Sequence, residues 1–520
     1  MLRSILMFSL ITLQTMAIAL SPAVLSDVSL IPKPVSVIPA MGTFSLTDKS
    51  AIFVTVESPE VKMIGRYLAD QLNPATGFGL AVKSVDGNES SGNIYLSLAS
   101  GDLQLGDEGY QLTILSDRIN LVAKKPAGLF NGIQTLRQLL PAKIESTSLQ
   151  QGPWEIPAGI IRDFPEYSYR GVMLDVARHF FSANDVKRYI DLIARYKMNV
   201  MHLHLSDDQG WRIEIKKWPN LTAIGGSLQV NGGKGGYYTQ EQYKDIVTYA
   251  AQRYVTIIPE IDMPGHTNAA LASYPELNCN NVAPKLYTGT EVGFSSLCTT
   301  KELTYQFITD VFTELSALTP GPYLHIGGDE SHVTKLADYI PFVNKVQGIV
   351  KKLGKQVIGW DEIALTTLQP NSFVQFWAKA DNALKGVKQG AKVIMSPAAN
   401  AYLDMQYDKT TKFGLNWAGY LEVDKGYNWN PATLVPGIGK ENILGIEAPL
   451  WTETITNMDE LEYMVFPRLP GYAEIGWSTP ATHNWNEYKT RLANQAERFK
   501  ALQIDYYPSK LVPWPNTIRK

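Results

Sequence analysis

From about residue 164 onward the sequence alternates short apolar stretches of strand type with helical stretches. Strands that alternate with helices pair in parallel, because each helix carries the chain back across one face of the sheet. Eight stretches have strand character, and they begin at residues 171, 200, 256, 323, 356, 373, 392 and 443. We therefore predict an α/β fold in which residues 164–510 form a (β/α)8 TIM barrel with long insertions, and we expect an active site at the carboxyl ends of its strands.

The clearest helical stretch in this region runs from Asp185 to Lys197. Val186, Ile190 and Ile193 recur on one face with helical spacing, and Ser182 stands where it can cap the first turn. A helix with one apolar face is what a crossover connection of a barrel requires.

Residues 27–163 have a different order of strand and helix patterns. Strand-type runs are interspersed with two helical patterns, Val61 to Leu72 and Ala127 to Leu140, and a strand pair with antiparallel hairpin character reads GYQLTILSDRINLVAK. The proline in IRDFPEYSYR marks the boundary with the barrel. We predict a small α+β domain that precedes the barrel. Because it shows no clustered histidines, cysteines or paired acids, we expect it to have a packing or positioning role.

Residues 1–20 have the layout of a secretory signal peptide. Arg3 is followed by an apolar stretch and then by the small-residue pattern Ala17-Ile18-Ala19. A membrane anchor is less favoured, because the apolar stretch falls short of the ~20 residues that span a bilayer. We expect export to the medium, the periplasm or a lysosome-like compartment.

Export bears on the two cysteines, Cys279 and Cys298. Disulfides persist in oxidising compartments, so we predict that these two residues form one, with two free thiols as the alternative. Asn88 and Asn220 begin glycosylation sequons, which predict a glycoprotein if the host glycosylates its exported proteins.

The charge of the chain does not favour a polyanionic partner. The formal net charge is −3, and the sequence contains no long basic or acidic run. Binders of nucleic acid or of anionic membranes need a strong basic footprint. We therefore expect neither as a partner, and an uncharged substrate fits better.

Acids and aromatic residues dominate the ends of the eight strand stretches. Each of these residues alone has an ordinary explanation, but the barrel brings all of them to one face. A sugar offers apolar C–H faces to aromatic rings and a polar rim to carboxylates and arginine, so the combination predicts carbohydrate binding. Eight of the eleven tryptophans lie at or after Trp360, where we expect the cleft. The residues at the strand ends are Asp175, Arg178, His204, Asp207, Glu260, Asp262, His266, Asp329, Glu330, Trp360, Trp377, Tyr402, Asp404, Trp451 and Glu453.

Asp329 and Glu330 stand side by side in YLHIGGDESH. A common retaining glycosidase places its acid and its nucleophile about 5 Å apart on either side of the scissile bond. Neighbours on one strand are ~3.8 Å apart at Cα and their side chains diverge, so they are poorly placed to flank a bond. One of the two can protonate the leaving oxygen, and we expect a different task for the other.

Six motifs in order resemble those of the family 20 glycoside hydrolases, the β-N-acetylhexosaminidases, and especially the bacterial-type members. They read RGVMLDVARHFF, MHLHLSDDQGWR, IPEIDMPGHTNAA, LHIGGDES, SPAANAYLDMQY and IEAPLWTE. The likeness extends into the preceding domain through DEGYQL and AGLFNGIQTLRQLLP. It implies an exo-acting enzyme that releases terminal β-linked N-acetylglucosamine or N-acetylgalactosamine with retention, without metal or organic cofactor.

The resemblance implies a substrate-assisted mechanism, in which the 2-acetamido group attacks its own anomeric carbon and forms an oxazolinium ion. It makes Glu330 the general acid and then base, and it makes Asp329 the residue that orients the acetamido group. An ionised Asp329 is then expected to raise the pKa of Glu330. The resemblance also implies substrate-binding roles for Arg178, Asp207, His266, Trp360, Trp377, Tyr402, Asp404, Trp451 and Glu453. Within this set, Asp207 and His266 are expected to support the acid.

For residues next to the predicted site, we expect structural roles and not catalytic ones. We expect Asp361 and Glu362 to be loop or supporting groups and His325 to be a packed, hydrogen-bonded histidine. Gly327 and Gly328 are expected to permit the backbone path that presents the two acids.

Three alternatives remain at this stage. His202, His204 and Asp207 could hold zinc, as in barrel amidohydrolases. A catalytically inactive sugar-binding protein on the same fold would require the acid to be missing, whereas Glu330 is present. A lacto-N-biosidase of the same family would need a roomier pocket. The natural substrate is left open among chitin fragments, glycoprotein glycans and glycolipids, and so is the oligomeric state.

Overall fold

The structure is a computed structural model, and it describes residues 24–55, 58–85, 90–99, 101 and 103–515. The predicted signal peptide and Asn88 of the first sequon lie outside these residues. Asn220 of the second sequon is exposed. Among the helices of the described ranges, none combines the length and the apolar character that a membrane crossing needs.

The chain first forms a seven-stranded mixed sheet, β1 to β7, with the order β1-β7-β5-β6-β4-β2-β3. β5 and β6 form the predicted antiparallel hairpin. Helix α1 contains the first predicted helical stretch, and α2 contains the second except for its last residue, Leu140. The sequence did not reveal β1, β3 and β7; most of β1 is exposed, so it lacks an alternating apolar pattern. The elements are β1 Ser36–Ser45, β2 Ile52–Val54, α1 Pro59–Thr76, β3 Val82–Ser84, β4 Asn93–Leu98, β5 Tyr110–Ile114, β6 Arg118–Ala123, α2 Pro126–Leu139 and β7 Glu155–Asp163.

Eight parallel strands then close into a barrel, in which β15 pairs with β8. Seven of the eight predicted stretches contain one of these strands, and the stretch that begins at residue 171 overlaps β8, so the predicted (β/α)8 fold is confirmed. The strands are β8 Tyr169–Asp175, β9 Val200–His204, β10 Thr256–Glu260, β11 Tyr323–His325, β12 Gln356–Trp360, β13 Phe373–Phe376, β14 Lys392–Met395 and β15 Ile443–Leu450.

Helices connect the strands and cover the outside of the barrel. The first of them, α3, begins as predicted: the Ser182 hydroxyl accepts from the Asp185 amide at 3.3 Å, and Asp185 accepts in return from the Ser182 amide at 2.8 Å. The helices are α3 Ala183–Arg195, α4 Asn220–Ala223, α5 Gln240–Ala251, α6 Asn268–Ser273, α7 Glu302–Leu318, α8 Leu336–Lys352, α9 Ala380–Lys388, α10 Ala398–Ala401, α11 Val423–Tyr427, α12 Pro431–Leu434, α13 Met458–Val465, α14 Leu469–Trp477, α15 Trp485–Ala493 and α16 Ala496–Ala501.

A polar network fills part of the barrel interior, with Glu260 at its centre. The Glu260 carboxylate lies 2.9 Å from His202 Nε2, 2.6 Å from His204 Nδ1 and 3.0 Å from His325 Nδ1. It also accepts a hydrogen bond from Trp360 Nε1 at 2.8 Å. His325 is fully buried within this network, so the prediction of a packed, hydrogen-bonded histidine is confirmed.

The two domains meet across buried ion pairs. Glu145, which follows α2, lies 2.6 Å from Arg137 of its own domain and 2.9 Å from Arg498 of α16, and it also pairs with Arg195 of α3. Burial would raise the pKa of Glu145, but the three guanidinium groups outweigh this effect and hold the pKa well below its usual range. The contacts are consistent with the packing role predicted for the first domain.

Candidate active site

A cavity of about 250 Å³ opens at the carboxyl ends of the barrel strands. It brings together nine of the eleven predicted catalytic and substrate-binding residues, while Asp207 and Trp360 are not among its lining residues. Four residues that line the cavity were not predicted: Thr290, Val292, Leu415 and Trp417. The nine predicted residues are Arg178, His266, Asp329, Glu330, Trp377, Tyr402, Asp404, Trp451 and Glu453.

The two adjacent acids lie on a loop after β11, not on the strand itself. The strand ends at His325, and the chain then turns through Gly327 and Gly328, with φ values of 64° and 106°. A Cβ atom on Gly327 would lie 1.7 Å from Asp262 Oδ1, so no larger residue fits there. The predicted role of the glycines is confirmed, and Glu330 itself has a positive φ of 44°.

Two side chains hold this loop in place. Asp262 Oδ1 accepts a hydrogen bond from the Gly328 amide at 3.0 Å, and the Tyr339 hydroxyl donates to the Gly328 carbonyl at 2.7 Å. These bonds offset the cost of the left-handed conformation at Glu330. Sequence reasoning missed Tyr339, because in the sequence it is simply an apolar-face residue of α8.

His266 stands beside both acids. Its Nε2 atom is 3.6 Å from Glu330 Oε2 and 3.7 Å from Asp329 Oδ2, and its Nδ1 atom is 3.2 Å from Asp207 Oδ1. Burial opposes a charge on the imidazole, but the charge of Asp207 outweighs it and raises the pKa of His266 well above its ordinary value. The raised pKa favours an imidazolium beside the two acids, and the contact with Asp207 is the one that a supporting pair would need.

The expected rise in the pKa of Glu330 is wrong for the free protein. Burial raises the pKa of Asp329 well above its ordinary value, and the charge of Asp262 adds to the effect. Burial would also raise the pKa of Glu330, but the charge of His266, whose Nε2 atom lies 3.6 Å away, outweighs burial and lowers the pKa. The two pKa values therefore shift in opposite directions, because Asp329 is the more deeply buried and the imidazolium favours an ionised Glu330.

Several buried polar atoms of the lining residues are free to bind a ligand. Arg178 Nε, Asp329 Oδ1 and Asp404 Oδ2 make no hydrogen bond within the described part of the chain. Buried polar atoms are normally paired, so an unpaired set within one cavity indicates a polar ligand. Arg178 is itself fixed by Asp207, at 2.8 Å from Nη2, and its guanidinium lies 4.8 Å from the ring centre of Trp451.

Aromatic rings form much of the cavity wall. Trp377, Tyr402 and Trp451 line it as predicted, whereas Trp360 lies buried next to the wall, with its ring centre 5.8 Å from that of Trp451. Trp417 is 55% exposed and its ring centre lies 6.0 Å from that of Trp377. It was missed because it belongs to a long insertion and not to a strand end.

The late cluster of tryptophans is a weaker signal than we expected. Four of the eight that lie at or after Trp360 belong to the main hydrophobic core or pack against it, away from the cavity; they are Trp429, Trp477, Trp485 and Trp514. For those four, the inference from position along the chain to the cleft is wrong.

Cys279 and Cys298 form the predicted disulfide. It closes a loop without helices or strands that contributes Thr290 and Val292 to the cavity. Such loop residues had no signal in the sequence, because nothing in their spacing shows where an irregular loop lies.

The zinc alternative depended on His202 and His204. Both ring nitrogens of each lie close to carboxylates: His202 is 2.9 Å from Glu260 and from Glu447, and His204 is 2.6 Å from Glu260 and 2.8 Å from Asp207. Burial opposes their charge, but the carboxylates outweigh it and raise the pKa of His202 to about 9 and that of His204 well above its ordinary value. Both histidines thus belong to the network of histidines and carboxylates around Glu260, and the zinc alternative is not favoured.

A (β/α)8 barrel whose cavity combines an acid pair, an arginine and aromatic walls is typical of the glycoside hydrolases. Comparison with known families agrees with this class. Residues 167–338 and 331–480 match the family model described as glycosyl hydrolase family 20, catalytic domain, and residues 27–164 match the one described as glycosyl hydrolase family 20, domain 2. The chain therefore belongs to glycosyl hydrolase family 20, and the resemblance noted in its motifs is confirmed.

Relatives within the family match over nearly the whole chain. A β-N-acetylhexosaminidase of Cellulomonas fimi is 40% identical over 492 residues, which cover 94% of this chain and 98% of the relative. The solved β-N-acetylhexosaminidase of Streptomyces coelicolor A3(2) is 51% identical, with a TM-score of 0.91 and coverage of 94% and 99%. A mutant β-hexosaminidase of Streptomyces plicatus in complex with its product N-acetylglucosamine is 51% identical, with a TM-score of 0.92 and coverage of 95% and 99%.

Proposed function

We propose that the protein is an exo-acting β-N-acetylhexosaminidase that removes terminal β-linked N-acetylglucosamine and N-acetylgalactosamine with retention. One observation carries this proposal: two adjacent carboxyl groups share one wall of a sugar-sized cavity and approach the same imidazole nitrogen. Such a pair suits a reaction in which the nucleophile belongs to the substrate, because no carboxylate has to face the acid across the bond. The activity of the family 20 relatives supports the same reaction.

The two acids divide the chemistry. Glu330 protonates the leaving oxygen and later deprotonates the water that opens the oxazolinium ion. Asp329 accepts a hydrogen bond from the acetamido N–H, and its negative charge stabilises the positive intermediate. Hydrogen bonding to a carboxylate lowers its pKa, so the arriving acetamido group favours an ionised Asp329. The ionised Asp329 in turn raises the pKa of Glu330, so substrate binding itself favours the protonated acid.

Cavity size favours the release of one sugar at a time. Sites for drug-sized ligands measure about 300–1,000 Å³. The cavity of about 250 Å³ is smaller and suits a single ring. A lacto-N-biosidase, which must hold a disaccharide, is therefore not favoured.

Hydrolysis by matched variants tests the proposal. We expect the purified chain to hydrolyse aryl β-N-acetylglucosaminides and β-N-acetylgalactosaminides, and chitooligosaccharides and N-glycans with release of monosaccharide. Glu330→Gln is expected to lower kcat by roughly 10²–10⁴-fold, most strongly for poor leaving groups, since general acid catalysis contributes about that much. Asp329→Ala is expected to lower kcat without loss of the fold, as circular dichroism would report.

Three further measurements test the proposal against the alternatives. Potent inhibition by a stable thiazoline mimic of the oxazolinium ion is expected, and weak inhibition would contradict the participation of the acetamido group. A sugar-binding protein without activity would bind N-acetylglucosamine but release no product. Loss of activity on chelation, restored by zinc, would support the metal alternative.

We also propose that the chain is exported and that its first 20 residues are removed. The disulfide supports this, because such bonds persist in oxidising compartments. In a host that glycosylates exported proteins, we expect a glycan on the exposed Asn220. Mass spectrometry of the protein from its own culture would contradict the proposal if it found the intact N-terminus inside the cells.

A further inference from the structure

Asp361 and Glu362 follow β12 directly, and neither is among the residues that line the substrate cavity. Asp361 Oδ2 accepts hydrogen bonds from three successive backbone amides, those of Trp377, Ala378 and Lys379, at 3.3, 3.1 and 3.0 Å. A carboxylate that gathers three amides fixes the backbone path of that segment. Asp361 therefore determines where the chain turns as it leaves β13.

Glu362 acts on the ring of the same tryptophan. Its Oε2 atom accepts a hydrogen bond from Trp377 Nε1 at 3.0 Å, and the Glu362 side chain is largely buried. It also lines a second small cavity of about 150 Å³, to which Glu330 and Tyr339 contribute. An indole has one N–H donor, and its partner sets the direction in which the ring faces.

The backbone and the ring of one wall residue are thus held by two neighbouring carboxyl groups. We propose that Asp361 and Glu362 are positioning residues that fix the Trp377 ring in the wall of the substrate cavity and thereby set the affinity for the sugar. This inference rests on the proposed function, because it concerns the binding of the same substrate. A wall that binds substrate and transition state alike lowers KM and leaves kcat nearly unchanged.

Glutamine is the matched conservative replacement for Glu362. Burial and the charge of Asp361 raise the pKa of Glu362 to about 8, so its carboxyl group is mainly neutral at pH 7. An amide oxygen can accept from Trp377 Nε1 in the same way. Leucine has a similar size but no acceptor, and it leaves the indole N–H without its partner.

A double-mutant cycle tests the inference. We expect Glu362→Leu to raise KM about fivefold at pH 7 with kcat within about twofold, since a hydrogen bond contributes on the order of 1 kcal/mol. Glu362→Gln is expected to stay within about twofold of the wild type. In a Trp377→Phe background, adding Glu362→Leu should raise KM little further, because the phenylalanine ring has no N–H group for Glu362 to bind. Binding of N-acetylglucosamine, measured by calorimetry, should follow the same order.

A control separates positioning from general stability. Asp310 of α7 accepts from Trp218 Nε1 at 3.2 Å, away from the cavity, so Asp310→Leu breaks a similar bond. It is expected to lower Tm and leave KM unchanged. The inference would be overturned if Glu362→Leu and Glu362→Gln raised KM equally. It would also be overturned if Glu362→Leu raised KM in the Trp377→Phe background as much as it does in the wild type. A wild type that hydrolyses no β-N-acetylhexosaminide would instead overturn the proposed function.

Discussion

At the scale of single residues, the surroundings shift the pKa values of the two adjacent acids in opposite directions. His266 outweighs burial and lowers the pKa of Glu330, while burial and the charge of Asp262 raise that of Asp329. The two groups interact and titrate as a pair, so a substrate that binds Asp329 also alters the pKa of Glu330. A sequence shows that two acids are adjacent, but the direction of their pKa shifts depends on burial and on a histidine more than sixty positions earlier.

This arrangement predicts the effect of removing the imidazolium. His266→Gln takes a positive charge away from the pair, so the apparent pKa of the pair should rise. Since the general acid must be protonated, the basic limb of the pH profile of kcat/KM is expected to move to higher pH, together with a lower kcat. An unmoved basic limb, or one displaced to lower pH, would contradict this account of Glu330.

At the scale of elements, the barrel strands could be predicted and the loops could not. All eight barrel strands have the apolar character that burial on both faces demands, so each was visible in the sequence. Nine catalytic and binding residues follow those strands closely, and they lie where the barrel predicts. Val292, Leu415 and Trp417 lie on long insertions, whose path depends on tertiary contacts that no local pattern encodes.

The loop closed by the disulfide offers a prediction at this scale. Replacing both Cys279 and Cys298 with serine frees the ends of a loop that contributes Thr290 and Val292 to the cavity. We expect KM to rise more than kcat falls, and we expect a loss of about 3 kcal/mol of stability, the entropy value for a loop of this size. Denaturant unfolding and steady-state kinetics measure the two effects. Wild-type protein treated with a reductant should behave like the double variant, and an unchanged KM in both would count against a role for the loop.

At the scale of the whole molecule, the first domain supports the barrel from the side remote from the substrate. Glu145 gathers one arginine from its own domain and two from the barrel. Asp163, at the end of β7, pairs with Lys197 at 2.8 Å and accepts from Trp477 Nε1 at 2.9 Å. The sequence placed a domain before the barrel, but it could not reveal how the two domains pack. The contacts between Glu145 and Arg498 and between Asp163 and Trp477 join residues that are 353 and 314 positions apart.

Glu145→Gln is expected to destabilise the whole protein. It leaves three guanidinium groups near a neutral amide, and breaking a buried ion pair in this way costs about 3–5 kcal/mol. The folded pKa of Glu145 is depressed, so its stabilisation is complete above its unfolded pKa, about 4.3, and is lost as the pH falls towards the folded value. The difference in unfolding free energy between variant and wild type should therefore be largest near pH 7 and shrink below about pH 4.

An exposed pair provides the control for this measurement. Glu302 and Lys345 are 2.9 Å apart, but the Glu302 side chain is 85% exposed, and exposed pairs contribute little. Glu302→Gln should leave Tm unchanged. If Glu145→Gln also left Tm unchanged at pH 7, apolar packing and not the ion pairs would stabilise the domain interface.

The histidine and carboxylate network inside the barrel has a consequence for any effort to reshape this enzyme by random mutagenesis. His202, Glu260 and Glu447 are not among the described residues that line the cavity. Replacing one of them nevertheless leaves a buried charged partner unpaired, which is costly. A saturation library scored by activity would therefore find these positions as intolerant as the acid pair. Their intolerance to substitution would reflect a structural role in the barrel interior. Variants with new substrate preferences would have to be sought among the loops that line the cavity.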